Sequence, residues 1–205
     1  MSQIPQEIEI KFYISRLEDM EEQLHRLNAE LIHPRVYEIN LRFDNSTNDL
    51  QRERRVLRLR RDWRSVLTFK GPMEPGQTVS VRQELEVVVS SFDTTRQILE
   101  TLGYHVSVMY EKYRTTFHLN KTIIALDEMP FGNFLEIEGA DADSIHAVAD
   151  LLGLDWENRC LEGYLALFSR LQRMENLGAR NLTFAEMGDR KFTAGDLGLS
   201  PADNM

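Results

Sequence analysis

The chain has a single cysteine, Cys160, among its 205 residues, and it contains no long apolar run. One cysteine excludes an internal disulfide framework and a thiolate zinc cluster, and it indicates a reducing compartment. A transmembrane helix would need about 18 consecutive apolar residues, and neither such a run nor a signal-peptide pattern is found. We therefore expect a cytoplasmic protein with no membrane partner.

The chain also has few basic residues: it contains 24 lysines and arginines and 33 aspartates and glutamates, which give a net charge of −9. Nucleic acids and anionic membrane surfaces carry the same sign of charge, so they are poor general partners for this chain. The five histidines are scattered without metal-ligand spacing. We therefore expect neither a nucleic-acid partner nor a histidine-based metal site.

Alternation of polar and apolar residues is abundant, and it predicts a chain made mainly of β-strands. The predicted strands are 7–12, 37–44, 56–60, 65–70, 81–89, 111–117, 122–129 and 133–138. Helical spacing predicts helices at 16–31, 94–102, 144–152 and 160–175. Ser15 and Glu18 have the spacing of a capping box for the first helix, and Gly103 and Gly153 suit the residue that follows a helix.

The first strand, EIEIKF at 7–12, places its two isoleucines on one face and Glu7, Glu9 and Lys11 on the other. Alone, this pattern is also typical of an edge strand with a solvated face. The Glu-apolar-Glu pattern recurs in QELEV at 83–87 and FLEIE at 134–138, each time before a loop and a helix. The chain therefore reuses one strand-then-helix unit that carries a carboxylate pair.

Basic residues occupy the polar face of other strands, as Arg58 and Arg60 do opposite two leucines. An open sheet with a solvated face would mix the two signs, whereas here acidic and basic residues dominate different strands. Closing the strands into an antiparallel barrel would collect both sets around a polar tunnel. Mg²⁺ or Mn²⁺ would neutralise the carboxylates, and a polyphosphate would neutralise the guanidinium and ammonium groups.

These motifs together resemble the CYTH superfamily, the triphosphate tunnel metalloenzymes, over about residues 5–168. That family includes class IV adenylyl cyclases, thiamine triphosphatases and inorganic triphosphatases. The resemblance rests on ExExK at 7–11, LRLR at 57–60, TFKGP at 68–72, RQELE at 82–86, EKYR at 111–114, ALDE at 125–128 and FLEIEG at 134–139. It implies a mainly β fold, a closed eight-stranded antiparallel β-barrel that forms a charged tunnel with flanking helices.

The resemblance also implies roles for individual residues. The metal-facing acids would be Glu7, Glu9, Asp127, Glu136 and Glu138. Phosphate would be bound by Lys11, Arg58, Arg60, Lys70, Arg82, Lys112 and Arg114. Lys11, Glu9 and Glu138 are the expected catalytic residues, whereas Glu84 and Glu86 line the tunnel without an assigned role. Alternation adds Arg42 to the phosphate contacts, at a strand where cyclase-like relatives tend to carry other residues at Asn40 and Arg42.

Three functions are compatible with the sequence. Our first expectation is Mg²⁺- or Mn²⁺-dependent hydrolysis of a small-molecule triphosphate. The alternatives are a class IV-type adenylyl cyclase and a noncatalytic polyphosphate or nucleotide binding module. We expect the tunnel domain at 1–170 and a C-terminal extension at 171–205, with a short helix near 184–187. This tail is expected to be a loosely packed appendage or homodimer contact, with a lid as the lesser alternative.

Overall fold

The computed structural model describes residues 5–203, and the structural statements below refer to this range. Its strands are β1 (Gln6–Ile14), β2 (Glu30–Asn45), β3 (Val56–Arg61), β4 (Ser65–Lys70), β5 (Ser80–Val89), β6 (Tyr104–Leu119), β7 (Thr122–Met129), β8 (Gly132–Glu138) and β9 (Arg159–Cys160). Its helices are α1 (Leu17–Arg26), α2 (Asp49–Arg52), α3 (Phe92–Thr101), α4 (Ala142–Leu151), α5 (Tyr164–Met174) and α6 (Phe184–Met187), with 3₁₀ turns at Trp156–Asn158 and Gly195–Leu197.

Eight strands form a closed antiparallel ring in the order β5-β4-β3-β2-β6-β7-β8-β1. The ring closes because β1 pairs with β8 through residues 9–14 and with β5 through residues 6–9. The two-residue strand β9 occupies the side of β1 that β5 leaves open, pairing Cys160 with Lys11. The predicted closed eight-stranded antiparallel fold with flanking helices is confirmed.

The hydrophobic cores lie between the outer wall of the ring and the elements packed against it. In one core, Ile10 and Phe12 of β1 meet Leu24 of α1 and Ile145 of α4, and each is at most 1% exposed. Glu9 and Lys11 alternate with these residues and therefore point to the opposite side, into the ring. Burial of the apolar faces against the helices thus fixes the inward direction of the charged faces.

The first helix differs from the prediction, since α1 ends at Arg26 and the chain enters β2 at Glu30. Asn28 has a left-handed backbone, with φ of 57°, and reverses the chain between them. The predicted capping box at Ser15 and Glu18 is wrong. The backbone amides of Ser15 and Arg16 donate instead to the carboxylate of Asp203, at 2.7–3.2 Å.

The predictions for the other helices and turns held more closely. Gly103 and Gly153 follow α3 and α4 with φ of 93° and 66°, as predicted for residues after a helix. The predicted helix at 160–175 is shorter, because Cys160 belongs to β9 and α5 begins at Tyr164. The short helix at 184–187 is confirmed as α6.

The C-terminal tail is not the loosely packed appendage expected from its composition. Leu182, Leu197 and Ala202 are fully buried. Leu182 also makes backbone hydrogen bonds to β6, donating to Met109 and accepting from Glu111. The tail thus packs along the part of β6 that precedes the β6–β7 pairing. The residues of the tail therefore belong to the same packed body as the ring. Within residues 5–203 we find no helix with the length and apolar character needed to cross a membrane.

Candidate functional site: a charged tunnel

The ring encloses a cavity of about 1190 Å³. Of the residues predicted for the site, only Asp127 does not line it. Those lining it are Glu7, Glu9, Lys11, Arg42, Arg58, Arg60, Lys70, Arg82, Glu84, Glu86, Lys112, Arg114, Glu136 and Glu138. The strand alternation that suggested an inward charged face therefore brings these side chains together.

The two signs of charge lie mainly on different parts of the wall. The carboxylates of Glu7, Glu9, Glu84, Glu86, Glu136 and Glu138 come from β1, β5 and β8, which are neighbours in the ring. The cations Arg42, Arg58, Arg60, Lys112 and Arg114 come from β2, β3 and β6, which are also neighbours. Beyond Lys11 and Glu136, the inward positions of β1 and β8 are aromatic. Phe134 packs there on Tyr13 and on Tyr164 of α5.

Several tunnel cations already have carboxylate partners. Lys70 Nζ lies 2.5 Å from Glu7, and Lys11 Nζ lies 2.5 Å from Glu136. Lys112 and Arg114 both contact Asp127, at 2.9 and 2.5 Å. Although burial opposes it, the negative charge of Glu136 and Glu9 raises the pKa of Lys11, so this ammonium stays protonated. These pairs neutralise one another without a ligand.

A second group of cations has weaker or no partners. The side chains of Arg42 and Arg82 make no ion pair or hydrogen bond with other residues of the described chain, although the Nε atom of each is buried. Arg58 reaches Glu86 only at 3.6 Å and the Tyr110 hydroxyl at 3.4 Å. Burial and the neighbouring guanidinium groups of Arg58 and Arg82 lower the pKa of Arg42. We call Arg42, Arg58 and Arg82 the guanidinium cluster. The protein leaves its positive charge only partly neutralised, so the cluster could bind an anion.

Two carboxylates lack cationic partners in the same way. Glu9 and Glu138 face each other in the β1–β8 register, and within residues 5–203 neither has a cation within 4 Å. Burial and the nearby charge of Glu136 raise the pKa of Glu9. Burial, with the charges of Glu7 and Glu9, raises the pKa of Glu138 to about 6. Both pKa values are raised chiefly by burial and further by neighbouring carboxylates, so the ionised form of each acid is disfavoured in this tunnel.

The available carboxylates fit an ion such as Mg²⁺, which takes few protein ligands, better than an ion that protein ligands surround completely. In the described chain no three acidic, histidine or cysteine side chains come together as a metal-binding group. Mg²⁺ is usually held by one or two carboxylates, with phosphate oxygens and water completing its shell. Glu9 and Glu138 would supply such a pair. Of the other predicted metal ligands, Glu7 and Glu136 are held by lysines, and Asp127 lies behind Lys112 and Arg114.

Sequence reasoning missed further residues of the site. Glu38 is buried on the inward face of β2, where Lys112 and Arg114 outweigh burial and hold its pKa at about 2. Alternation with Arg42 in the same strand could have identified it. Tyr164 of α5 and Arg180 of the tail line the cavity, whereas Glu38 does not, and no local pattern marks Tyr164 or Arg180.

A closed antiparallel ring around opposed carboxylates and guanidinium groups defines a β-tunnel protein with a charged interior. A family model for the CYTH domain matches residues 5–154, which is most of the chain. The chain therefore belongs to the CYTH family. Enzymes of this family are triphosphatases or adenylate cyclases, and they depend on divalent metal ions.

Individual relatives agree with this assignment. A Methanocaldococcus jannaschii protein, provisionally named an adenylate cyclase, is 28% identical over 139 residues, which are 67% of this chain and 78% of that one. A Vibrio parahaemolyticus structure, also provisionally named an adenylate cyclase, matches with a TM-score of 0.73 at 20% identity, over 82% of this chain and 99% of that one. A Hippeastrum structure, described as a provisional adenylyl cyclase with a dominant triphosphatase activity, matches with a TM-score of 0.58 at 19% identity, over 80% and 95%.

Proposed function

We propose that this protein is a Mg²⁺- or Mn²⁺-dependent hydrolase of a triphosphate, with inorganic tripolyphosphate, thiamine triphosphate and nucleoside triphosphates as candidate substrates. One observation carries the proposal: the tunnel holds unpaired charges of both signs. Within residues 5–203, Glu9 and Glu138 have no cation within 4 Å. In the guanidinium cluster the side chains of Arg42 and Arg82 have no anion, and Arg58 reaches only Glu86, at 3.6 Å. Charge that the protein leaves without a close partner inside the tunnel is costly, so a complex of a divalent cation with a triphosphate would satisfy both groups at once.

The guanidinium cluster would bind and orient the phosphoryl groups. A guanidinium group offers a planar fork of donors that matches two phosphate oxygens, and it remains charged at all physiological pH values. Arg60 would add to this contact, because its nearest carboxylates are 3.4–3.7 Å away and its Nε atom is buried without a hydrogen bond. Oriented in this way, the terminal phosphorus can face an attacking group in line with the bond that breaks.

The opposite wall would carry out the chemistry. Glu9 and Glu138 would hold the divalent cation, which supplies charge neutralisation and lowers the pKa of water. The pKa of Glu138 is about 6 without the cation, and binding of the cation would hold this carboxylate in its ionised form. Lys11 lies between Glu9 and the aromatic end of the tunnel and stays protonated, so its ammonium would stabilise charge on the transferred phosphoryl group.

Adenylyl cyclase activity is the second candidate, and the provisional name of the Methanocaldococcus jannaschii relative favours it. In that reaction the ribose 3′-hydroxyl would attack the α-phosphorus, and pyrophosphate would leave. The same unpaired charges would serve it, because metal and triphosphate are common to both reactions. Arg42 favours hydrolysis, since it adds a phosphate contact on a strand where cyclase-like sequences tend to differ.

Product analysis would separate these candidates. We would incubate the purified protein with tripolyphosphate, thiamine triphosphate or ATP, each with EDTA, Mg²⁺ or Mn²⁺, and resolve the products by chromatography. We expect orthophosphate only when a divalent cation is present. Cyclic AMP and pyrophosphate from ATP, without orthophosphate from any of the three, would overturn the proposal in favour of the cyclase. Binding of tripolyphosphate without turnover would indicate the noncatalytic module.

A further inference from the structure

The Asp127 carboxylate is filled by donors from the protein itself. Asp127 is fully buried and accepts hydrogen bonds from Lys112 Nζ at 2.9 Å and from Arg114 Nε and Nη2 at 2.6 and 2.5 Å. The hydroxyl of Tyr164 donates a further bond at 2.7 Å. Three of these bonds end on Oδ2 and one ends on Oδ1. Because the carboxylate is also fully buried and does not line the cavity, a metal ion in the cavity has no direct access to it.

Tyr164 connects this carboxylate to the C-terminal helix and to the tunnel lysines. It is the first residue of α5, and its ring packs edge-on against Phe134 at 5.1 Å. The ammonium groups of Lys11 and Lys112 lie 4.5 and 5.5 Å from its ring centroid. Burial, together with the charge of Asp127, raises the pKa of Tyr164, so its hydroxyl stays protonated and remains a donor.

We propose that Asp127 and Tyr164 are positioning residues. Asp127 orients the side chains of Lys112 and Arg114 and is not a metal ligand. Tyr164 holds the Asp127 carboxylate in place through its hydrogen bond from α5. Lys112 and Arg114 both line the cavity, whereas Asp127 does not. Two flexible cationic side chains are thereby held in one geometry before the ligand arrives, which lowers the entropy lost on binding. The inference deepens the proposed function by assigning the support of its phosphate contacts.

The metal part of the inference is tested with Mn²⁺ alone. Dissociation constants from electron paramagnetic resonance titrations would be compared for the unchanged protein, Asp127→Asn and Glu9→Gln. We expect Asp127→Asn to stay within about twofold of the unchanged protein, whereas Glu9→Gln weakens binding by about tenfold or more, the size typical of a lost contact around a metal. An equal loss in Asp127→Asn would make Asp127 a metal ligand and overturn the inference.

The positioning part is tested with Tyr164→Phe, which removes the hydroxyl and leaves the charge unchanged. Its control is Tyr13→Phe, because Tyr13 packs in the same aromatic cluster and its hydroxyl has no hydrogen bond to another described residue. The readout is hydrogen exchange of the Arg114 Nε–H by NMR, assigned from its absence in Arg114→Lys. We expect exchange on the order of tenfold faster in Tyr164→Phe than in Tyr13→Phe, as the loss of one bond to a charged acceptor implies.

Equal exchange in Tyr164→Phe and Tyr13→Phe would overturn the positioning role. Should Asp127→Asn fail to fold, the Mn²⁺ titration of Tyr164→Phe decides the metal question. That variant removes one of the three donors on Oδ2 of Asp127. Binding several-fold tighter than in Tyr13→Phe would therefore show that Asp127 does reach the metal, and unchanged binding would support the inference. None of these readouts requires turnover. A protein that hydrolyses no triphosphate would therefore refute the proposed function alone.

Discussion

Glu9 on β1 lies directly opposite Glu138 on β8, and in the described part of the chain neither carboxylate has a cation within 4 Å. Every other acid of the β1 and β8 tunnel wall is held by a lysine: Glu7 by Lys70 and Glu136 by Lys11. The wall thus contains two acids whose charge the protein has neutralised and two whose charge it has not. This difference identifies which carboxylates should respond to a divalent cation.

Neutralising Glu9 should separate catalysis from folding. We expect Glu9→Gln to reduce metal-dependent turnover by about a hundredfold or more, a loss typical of removing one electrostatic contact to a transition state. The metal-free variant should be at least as stable as the unchanged protein, because the substitution relieves repulsion with Glu138 and Glu136. Steady-state kinetics and thermal unfolding in EDTA would measure the two effects.

Glu128→Gln is the matched control for that experiment, since it removes the same charge from the outer side of β7. Glu128 pairs there with the exposed Arg35 and does not line the cavity. We expect turnover close to that of the unchanged protein and a change in unfolding free energy of at most about 1 kcal/mol, as for other exposed ion pairs. Equal turnover in Glu9→Gln and Glu128→Gln would exclude Glu9 from the site.

The opposed acids should also make the metal-free protein less stable as the pH rises. The pKa of Glu138 is raised from 4.5 to about 6 in the folded chain, so the folded state binds the proton more tightly than the unfolded state. Its contribution to stability is therefore complete below about pH 4.5 and is lost as the pH rises through 6. Unfolding in EDTA across pH 4.5–7.5 should show this loss in the unchanged protein and a smaller loss in Glu138→Gln, where the pKa of Glu9 is still raised by burial and by Glu136.

Mg²⁺ should reverse this loss, because it binds the ionised carboxylates of the folded state. We expect the gain in midpoint temperature on adding Mg²⁺ to be larger at pH 7.5 than at pH 5. A gain of equal size at both pH values, or one retained in Glu138→Gln, would mean that Mg²⁺ stabilises the protein at a different place.

The unpaired and paired guanidinium groups should respond oppositely to truncation. Arg42→Ala should leave the ligand-free protein as stable as before or more so, because Arg42 has no partner and repels Arg58 and Arg82. The same variant should weaken binding of tripolyphosphate by about tenfold or more, as the loss of a charge-assisted hydrogen bond implies. Calorimetric titration and denaturant unfolding would measure both quantities.

Arg114→Ala supplies the contrast in stability. It removes two of the four hydrogen bonds to the buried carboxylate of Asp127 and one partner of Glu136. Removing one partner of a buried ion pair typically costs about 3–5 kcal/mol, and we expect a loss of this size in the free energy of unfolding. A comparable loss in Arg42→Ala would show that Arg42 is a structural residue and would weaken its assignment to the guanidinium cluster.

The strands and their inward faces could be predicted because alternation is a local property of the sequence. The predicted bounds of β4 at 65–70 and β7 at 122–129 agree with the structure. Partners across the tunnel could not be predicted in this way, since they depend on the register and closure of the ring. Asp127 is the example, because the family resemblance implied a metal ligand there. Its carboxylate is bound instead by Lys112 and Arg114, through the β6–β7 register, and by Tyr164 of α5, 37 residues away.

The role of the tail was missed for a related reason. Its mixture of glycine, asparagine and aspartate resembles loosely ordered chain, and composition does not reveal that Leu182 and Ala202 are fully buried. The capping of α1 by Asp203, 187 or more residues away in sequence, is equally invisible to a local pattern. The spacing of Ser15 and Glu18 predicted a local cap for α1, but the carboxylate of Asp203 caps this helix instead.

The last prediction tests that distant cap. Asp203→Ala removes the acceptor for the backbone amides of Ser15 and Arg16 at the positive end of α1, and we expect a loss of about 1–2 kcal/mol in the free energy of unfolding. Asp189→Ala is the control, because Asp189 is exposed and makes no hydrogen bond or ion pair within residues 5–203. Denaturant unfolding of both variants gives the comparison. A loss in Asp203→Ala no larger than in Asp189→Ala would show that the tail does not stabilise α1 through this carboxylate.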